Sequence, residues 1–105
     1  MNWHEFRKYH YQKYGPTPLY IVSKRYKDYK KSLVKIEIYS KPTCPFCIKA
    51  KQLLSKHGYK YKEYDVNDIF NLKEMKRRTH DAKTVPQIFI NNTLIGGYDQ
   101  LKKLF

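Results

Sequence analysis

Cys44 and Cys47, the only two cysteines of the chain, stand in the run Cys44-Pro45-Phe46-Cys47. The segment before them, Ile36 to Ser40, alternates like a strand, and the segment after them has helical spacing. Cys44 therefore falls at a helix cap, with Pro45 at the first helical position, where a missing N–H costs nothing. A helix N-terminus offers free N–H groups and the positive end of its dipole, which favour an anion such as a thiolate. Lys41 adds positive charge from just upstream. Cys47 lies one turn further in, close enough to close a disulfide. This reading makes Cys44 the attacking thiolate and Cys47 the resolving thiol. Two other readings stay open on spacing alone. In one, the pair binds zinc with His57 and His80. Nine residues separate Cys47 from His57 and 22 separate His57 from His80, unlike common fingers, whose histidines stand about three to five apart. In the other, both cysteines are inert packing, with His57 and His80 as surface residues at helix ends.

The flanking pattern shows what must hold this pair in place. Ile36 and Ile38 alternate with Glu37 in a first strand. Pro45 to His57 reads as a helix with Cys47, Ala50 and Leu54 on one face and Gly58 as its stop. Tyr59 and Tyr61, alternating with lysines, predict a second strand. Asp68 caps a helix expected over 68–79, with Ile69, Leu72 and Met75 facing inward. Pro86 to Asn91 and Thr93 to Ile95 predict strands joined by a tight Asn91-Asn92 turn. After Gly96-Gly97, a short helix is expected over 99–105. The order βαβαββα predicts an α/β fold in which a four-stranded mixed sheet is flanked by helices.

Residues 1–34 differ in character and are read as a basic, tyrosine-rich N-terminal extension preceding a domain over 35–105. Asn2 with Glu5 three positions on is a cap signal, and Gly15 is a stop. Thr17-Pro18 reads as a second helix start, and Val22, Tyr26, Tyr29 and Leu33 fall on one face. The expectation is a helical hairpin docked on the following domain; the alternative is a partly disordered basic arm.

Three motifs carry a resemblance. Lys41-Pro42-Thr43-Cys44-Pro45-Phe46-Cys47, Thr84-Val85-Pro86-Gln87-Ile88-Phe89-Ile90 and Gly96-Gly97-Tyr98-Asp99-Gln100-Leu101 closely resemble the dithiol glutaredoxins in residues and in order, over about Ile36 to Phe105. The resemblance implies a thioredoxin-like fold and a glutathione-dependent oxidoreductase with Cys44 as nucleophile and Cys47 as resolving thiol. Pro86 is implied as the cis-proline facing the cysteines, with the Val85 main chain pairing with the cysteinyl part of glutathione and Thr84 beside it. Lys41 and Lys73 are implied for the glycyl carboxylate. Gly97, Tyr98 and Asp99 are implied for the γ-glutamyl group, and Phe46 for the wall between the cysteines. Phe46 stands where tyrosine is commonest, and Tyr98 where a smaller residue is usual, which predicts crowding at the glutamyl end. Implied partners are glutathione and glutathionylated or disulfide-containing proteins, a ribonucleotide reductase being one family role. No metal is expected. Two rival functions are a redoxin served by thioredoxin reductase and a carrier of an iron–sulfur cluster bridging two protomers through Cys44 and glutathione.

Composition narrows the setting. The chain has 105 residues, 41% of them hydrophobic, enough for one compact core. Its longest apolar run, Leu19 to Val22, is too short to cross a membrane. The opening Met1-Asn2-Trp3-His4-Glu5 resembles no export signal. The reading is a monomeric cytoplasmic protein whose cysteines are kept reduced. Net charge is +13, with +7 in residues 1–35 and +6 in the remainder. Such a surface attracts anions without specifying which. Nucleic-acid binding by the extension is the disfavoured reading.

Overall fold

A computed structural model describes residues 1–105, which divide into two compact units, Met1–Leu33 and Val34–Phe105. The second is organised around β1 (Ile36–Ser40), every residue of which is buried. It is followed by α3 (Pro45–Lys56), β2 (Lys62–Asp65), α4 (Ile69–Arg78), β3 (Gln87–Ile90), β4 (Thr93–Gly96) and α5 (Tyr98–Lys102). The sheet has the order β2-β1-β3-β4. β1 runs parallel to β2, with Glu37 opposite Lys62, and antiparallel to β3, with Ile38 opposite Ile88. β3 and β4 form the antiparallel hairpin, closed by Asn91 and Asn92 at φ of 49° and 66°. Both turn residues thus take the left-handed values that asparagine tolerates and a two-residue hairpin requires.

A strand with both faces covered must bury alternate residues into two different cores. On one face Ile36, Ile38 and Ile88 pack with Ala50 and Leu54 of α3 and Leu101 of α5. On the other, Tyr39 and Phe89 pack with Val66 and with Met75 of α4. Glu37 belongs to this second side. It reads from the sequence as the polar half of an alternation, yet it is only 5% exposed, because α4 covers the face it points to.

Several local expectations shift. The second strand begins at Lys62, not Tyr59: its pairing with β1 runs from Lys62 opposite Glu37 to Asp65 opposite Ser40. Tyr59 and Tyr61 instead pack partly buried against the aliphatic core. Asp68 caps α4, accepting from the amides of Phe70 and Asn71. Ile69, however, is 55% exposed at the first turn, which lies beyond the covered face. The last helix is shorter than expected and begins one residue earlier, at Tyr98.

In the other unit, α1 (Trp3–Tyr14) and α2 (Leu19–Ser32) form the expected helices. The Asn2 side chain accepts from the Glu5 amide at 2.8 Å. Gly15 ends α1 at φ 76°, a value that favours glycine. Pro18, not Thr17, occupies the cap of α2, since the Thr17 hydroxyl donates backward to the Gly15 carbonyl at 3.2 Å. Leu33, the last residue of the expected apolar face, is exposed where the helix ends. The interior is largely aromatic. Phe6 lies 5.2 Å from Tyr26 and 5.5 Å from Tyr29 between ring centroids, and Trp3 lies 5.1 Å from Tyr26. In so short a unit, rings supply apolar area that a few aliphatic side chains would not.

Candidate active site

β1 delivers the chain to the site and α3 begins it. Between them, the Cys44 amide donates to the Lys41 carbonyl at 3.2 Å and turns the loop. Cys44 is the N-cap of α3, in extended conformation at φ −83° and ψ 115°, with Pro45 in the first turn. The Cys47 amide, free of any intrahelical acceptor at this position, donates to Cys44 Sγ at 3.3 Å. The same sulfur lies 3.6 Å from the Val85 carbonyl, which accepts from its S–H. Cys44 is partly exposed and Cys47 fully buried, and neither is in a disulfide. Burial first, then hydrogen bonding with Cys44, pushes the Cys47 thiol up to about 12. One turn further along, Lys51 meets Glu63 at 2.9 Å, and Glu63 also accepts from the buried Ser40 hydroxyl at 2.7 Å. The two thiols thus differ in access, and burial works against ionisation of Cys47.

Beside them runs a groove of about 440 Å³. Phe46, Thr84, Val85, Pro86, Gly97, Tyr98 and Asp99 all line it. One wall is the segment entering β3, where the Val85–Pro86 peptide is cis. The Gln87 side-chain amide donates to the Thr84 carbonyl at 2.9 Å and fastens this wall. The opposite wall is the turn from β4 into α5. Gly96 sits there at φ +118°, and a Cβ on it would come within 3.1 Å of the Gln100 side chain. Gln100 in turn accepts from the Gly97 amide at 2.9 Å. The amides of Tyr98 and Asp99 are first-turn amides of α5, with no intrahelical acceptor. The Phe46 and Tyr98 rings stand 6.2 Å apart, and Lys49 Nζ lies 5.3 Å from the Phe46 ring.

Lys41 and Lys73 are not part of this wall: both are exposed, Lys41 on the loop after β1 and Lys73 on α4. The groove also includes Gln87, Ile95 and Gln100, which sequence reasoning did not single out. Gln87 and Gln100 both stand within the quoted motifs, and position in a motif was the available signal. No three His, Cys, Asp or Glu side chains gather into a metal-ligating set. His57 ends α3 and stacks on Phe105 at 4.3 Å, and His80 lies exposed beyond α4.

The chain is similar to known proteins. The family model described as Glutaredoxin matches residues 36–95. A probable glutaredoxin of Synechocystis sp. is 48% identical over 68 residues, covering 64% of this chain and 62% of that protein. Glutaredoxin 3 of Escherichia coli is 40% identical over 72 residues, covering 69% of this chain and 87% of the relative. Among solved structures, glutaredoxin 1 from Francisella tularensis superposes with a TM-score of 0.58 at 30% identity, covering 67% of this chain and 90% of that one.

Proposed function

The chain belongs to the glutaredoxin family, whose members are thiol–disulfide oxidoreductases, and from that premise we propose that it draws its electrons from glutathione. The observation that carries this reading is the groove between the Thr84–Pro86 segment and the first turn of α5, one of whose lining residues, Val85, has its carbonyl 3.6 Å from the partly exposed Cys44 sulfur.

In the reductive reaction the Cys44 thiolate attacks the glutathionyl sulfur of a mixed disulfide. The substrate thiolate leaves with the electron pair of the broken S–S bond and takes up a proton. A second glutathione thiolate then attacks the glutathionyl sulfur held on Cys44, giving oxidised glutathione and regenerating the Cys44 thiolate. With a protein disulfide, Cys44 first forms a mixed disulfide with the substrate. Cys47 gives up its proton, attacks Cys44 Sγ and releases the second substrate thiol, and two glutathiones reduce the resulting Cys44–Cys47 bond. Only this second route asks Cys47 to ionise, and its burial works against that step.

Glutathione is assigned along the groove with its cysteinyl portion against the Val85 main chain and Thr84, and with Pro86 and Phe46 as walls. Its γ-glutamyl carboxylate meets the Tyr98 and Asp99 amides next to Gly97, with the Asp99 carboxylate for the amine. Lys41 and Lys73 are assigned to the glycyl carboxylate from outside the groove. Lysine side chains are long and mobile enough to act this way as point charges. Protein substrates are glutathionylated or disulfide-containing proteins, in a cytoplasmic setting, with the chain acting as a monomer.

The test is glutathione-coupled reduction of a small glutathione mixed disulfide by wild type, Cys44→Ser and Cys47→Ser. The first variant is expected to be inactive and the second to keep most of the rate. An inactive wild type would set glutathione aside and move the thioredoxin-reductase-coupled and cluster-carrier readings forward.

A further inference from the structure

The helical hairpin lies outside the segment matched by the glutaredoxin family model and contains a cavity of its own, about 440 Å³ in volume. His4, Arg7, Lys8 and Tyr11 of α1 line it, as do Leu19 and Val22 of α2. The two acids of this unit, Glu5 and Asp28, are absent from the wall. A concave surface bearing one sign of charge concentrates anions of the other sign.

One cationic side chain is withheld from this cavity, and it shapes the wall. Arg25 Nη1 lies 2.8 Å from Nε2 of His10, which is 2% exposed and lines the cavity. A guanidinium has only donors, so Nε2 must accept and Nδ1 carries the ring proton. The Arg25 guanidinium also rests 4.8 Å over the Tyr14 ring. His10 is therefore fixed in one orientation before any ligand arrives. The cavity is several times larger than a lone phosphate, within the range of small-molecule sites, and it is lined by apolar as well as cationic side chains.

We propose that the hairpin is a second binding site, for a phosphorylated small molecule of the nucleotide class. The phosphates meet Arg7, Lys8 and His4, and the ring lies along Tyr11 and Leu19. The site is independent of the thiol chemistry and does not rest on the glutathione reading.

Isothermal titration of the full chain with ADP, at fixed ionic strength, tests it. Saturable binding below about 1 mM is expected. Trp3, the only tryptophan, lies with Arg7 5.8 Å from its ring, so its emission is expected to change along the same curve. Replacing Arg7 and Lys8 together by alanine is expected to weaken binding at least about tenfold, a difference of about 1.4 kcal/mol. Replacing Lys27 and Lys30, which remove the same charge from outside the cavity, should leave it within about twofold. Both double variants alter exposed side chains, and helicity measured by circular dichroism confirms that each remains folded. No saturable binding overturns the proposal, and so does equal weakening in the two variants, or a single-stranded oligonucleotide bound through all four residues alike. Inorganic pyrophosphate bound as tightly as ADP overturns the assignment of a ring to Tyr11 and Leu19.

Discussion

Each unit of the molecule pairs a buried ionisable side chain with an arginine, but the two pairings differ in completeness. Glu37 on β1 is held by both terminal nitrogens of Arg78, at 3.0 and 3.2 Å, and also accepts from the Tyr64 hydroxyl at 3.1 Å. Arg78 is itself roofed by the Phe89 ring at 3.8 Å and donates to Tyr39 at 3.0 Å. In the hairpin, His10 has one contact to Arg25, which stays exposed. The α/β unit covers a central strand on both faces, so a carboxylate there loses its water and must have every oxygen satisfied. Two helices alone enclose less, and a single guanidinium at the edge suffices.

Breaking the closed pair is expected to have the largest effect. Arg78→Ala should destabilise the protein by about 3–5 kcal/mol, measured by urea unfolding, because it leaves a buried charge alone. Its pH dependence should also weaken. In the native chain Arg78 is the main cause that lowers the Glu37 pKa from 4.5. That contribution is therefore present above about pH 4.5 and is lost as pH falls through the lowered folded value. Without Arg78, burial is the largest remaining influence and opposes the Tyr64 hydrogen bond and Lys35, so the contribution present above about pH 4.5 should shrink.

Leu54→Ala, at a fully buried site in the aliphatic cluster, is expected to cost about 2–5 kcal/mol. Arg25→Ala is the matching experiment in the hairpin. It should cost about 1 kcal/mol, the low end for an unpaired buried group, since solvent can replace an exposed donor. Following Trp3 emission on heating measures it, and a loss equal to that of Arg78→Ala would break the comparison. The smallest change is expected at Gly97, which has extended backbone and room for a Cβ 3.5 Å from Gln100 and 3.6 Å from the Pro86 carbonyl. Gly97→Ala should shift stability by less than about 0.5 kcal/mol. The same change at Gly96 should cost more than at Gly97, given its positive φ and 3.1 Å contact.

The contrast also explains what could be read ahead of the structure. Caps are local, so Asn2 and Asp68 declared the starts of α1 and α4, and Cys44-Pro45 announced α3. The family fold was legible because three motifs occur in the right order. The Glu37–Arg78 pair joins residues 41 apart in the chain, and nothing in either neighbourhood announces it. An alternating Ile-Glu-Ile strand looks half solvated until the helix on its other face is known. The start of β2 is hidden for a related reason: its register with β1, Lys62 opposite Glu37, is a long-range pairing that the alternation at Tyr59 and Tyr61 does not announce. The cavity in the hairpin was equally hidden, since it needs two helices side by side.

The complete burial of Cys47 beside a partly open Cys44 has a use outside catalysis. A short pulse of an alkylating reagent on the reduced protein should add one label, on Cys44. A second label should follow only when the first turn of α3 opens. The delay between them turns the resolving cysteine into a clock for the fraying of that helix, readable by mass alone.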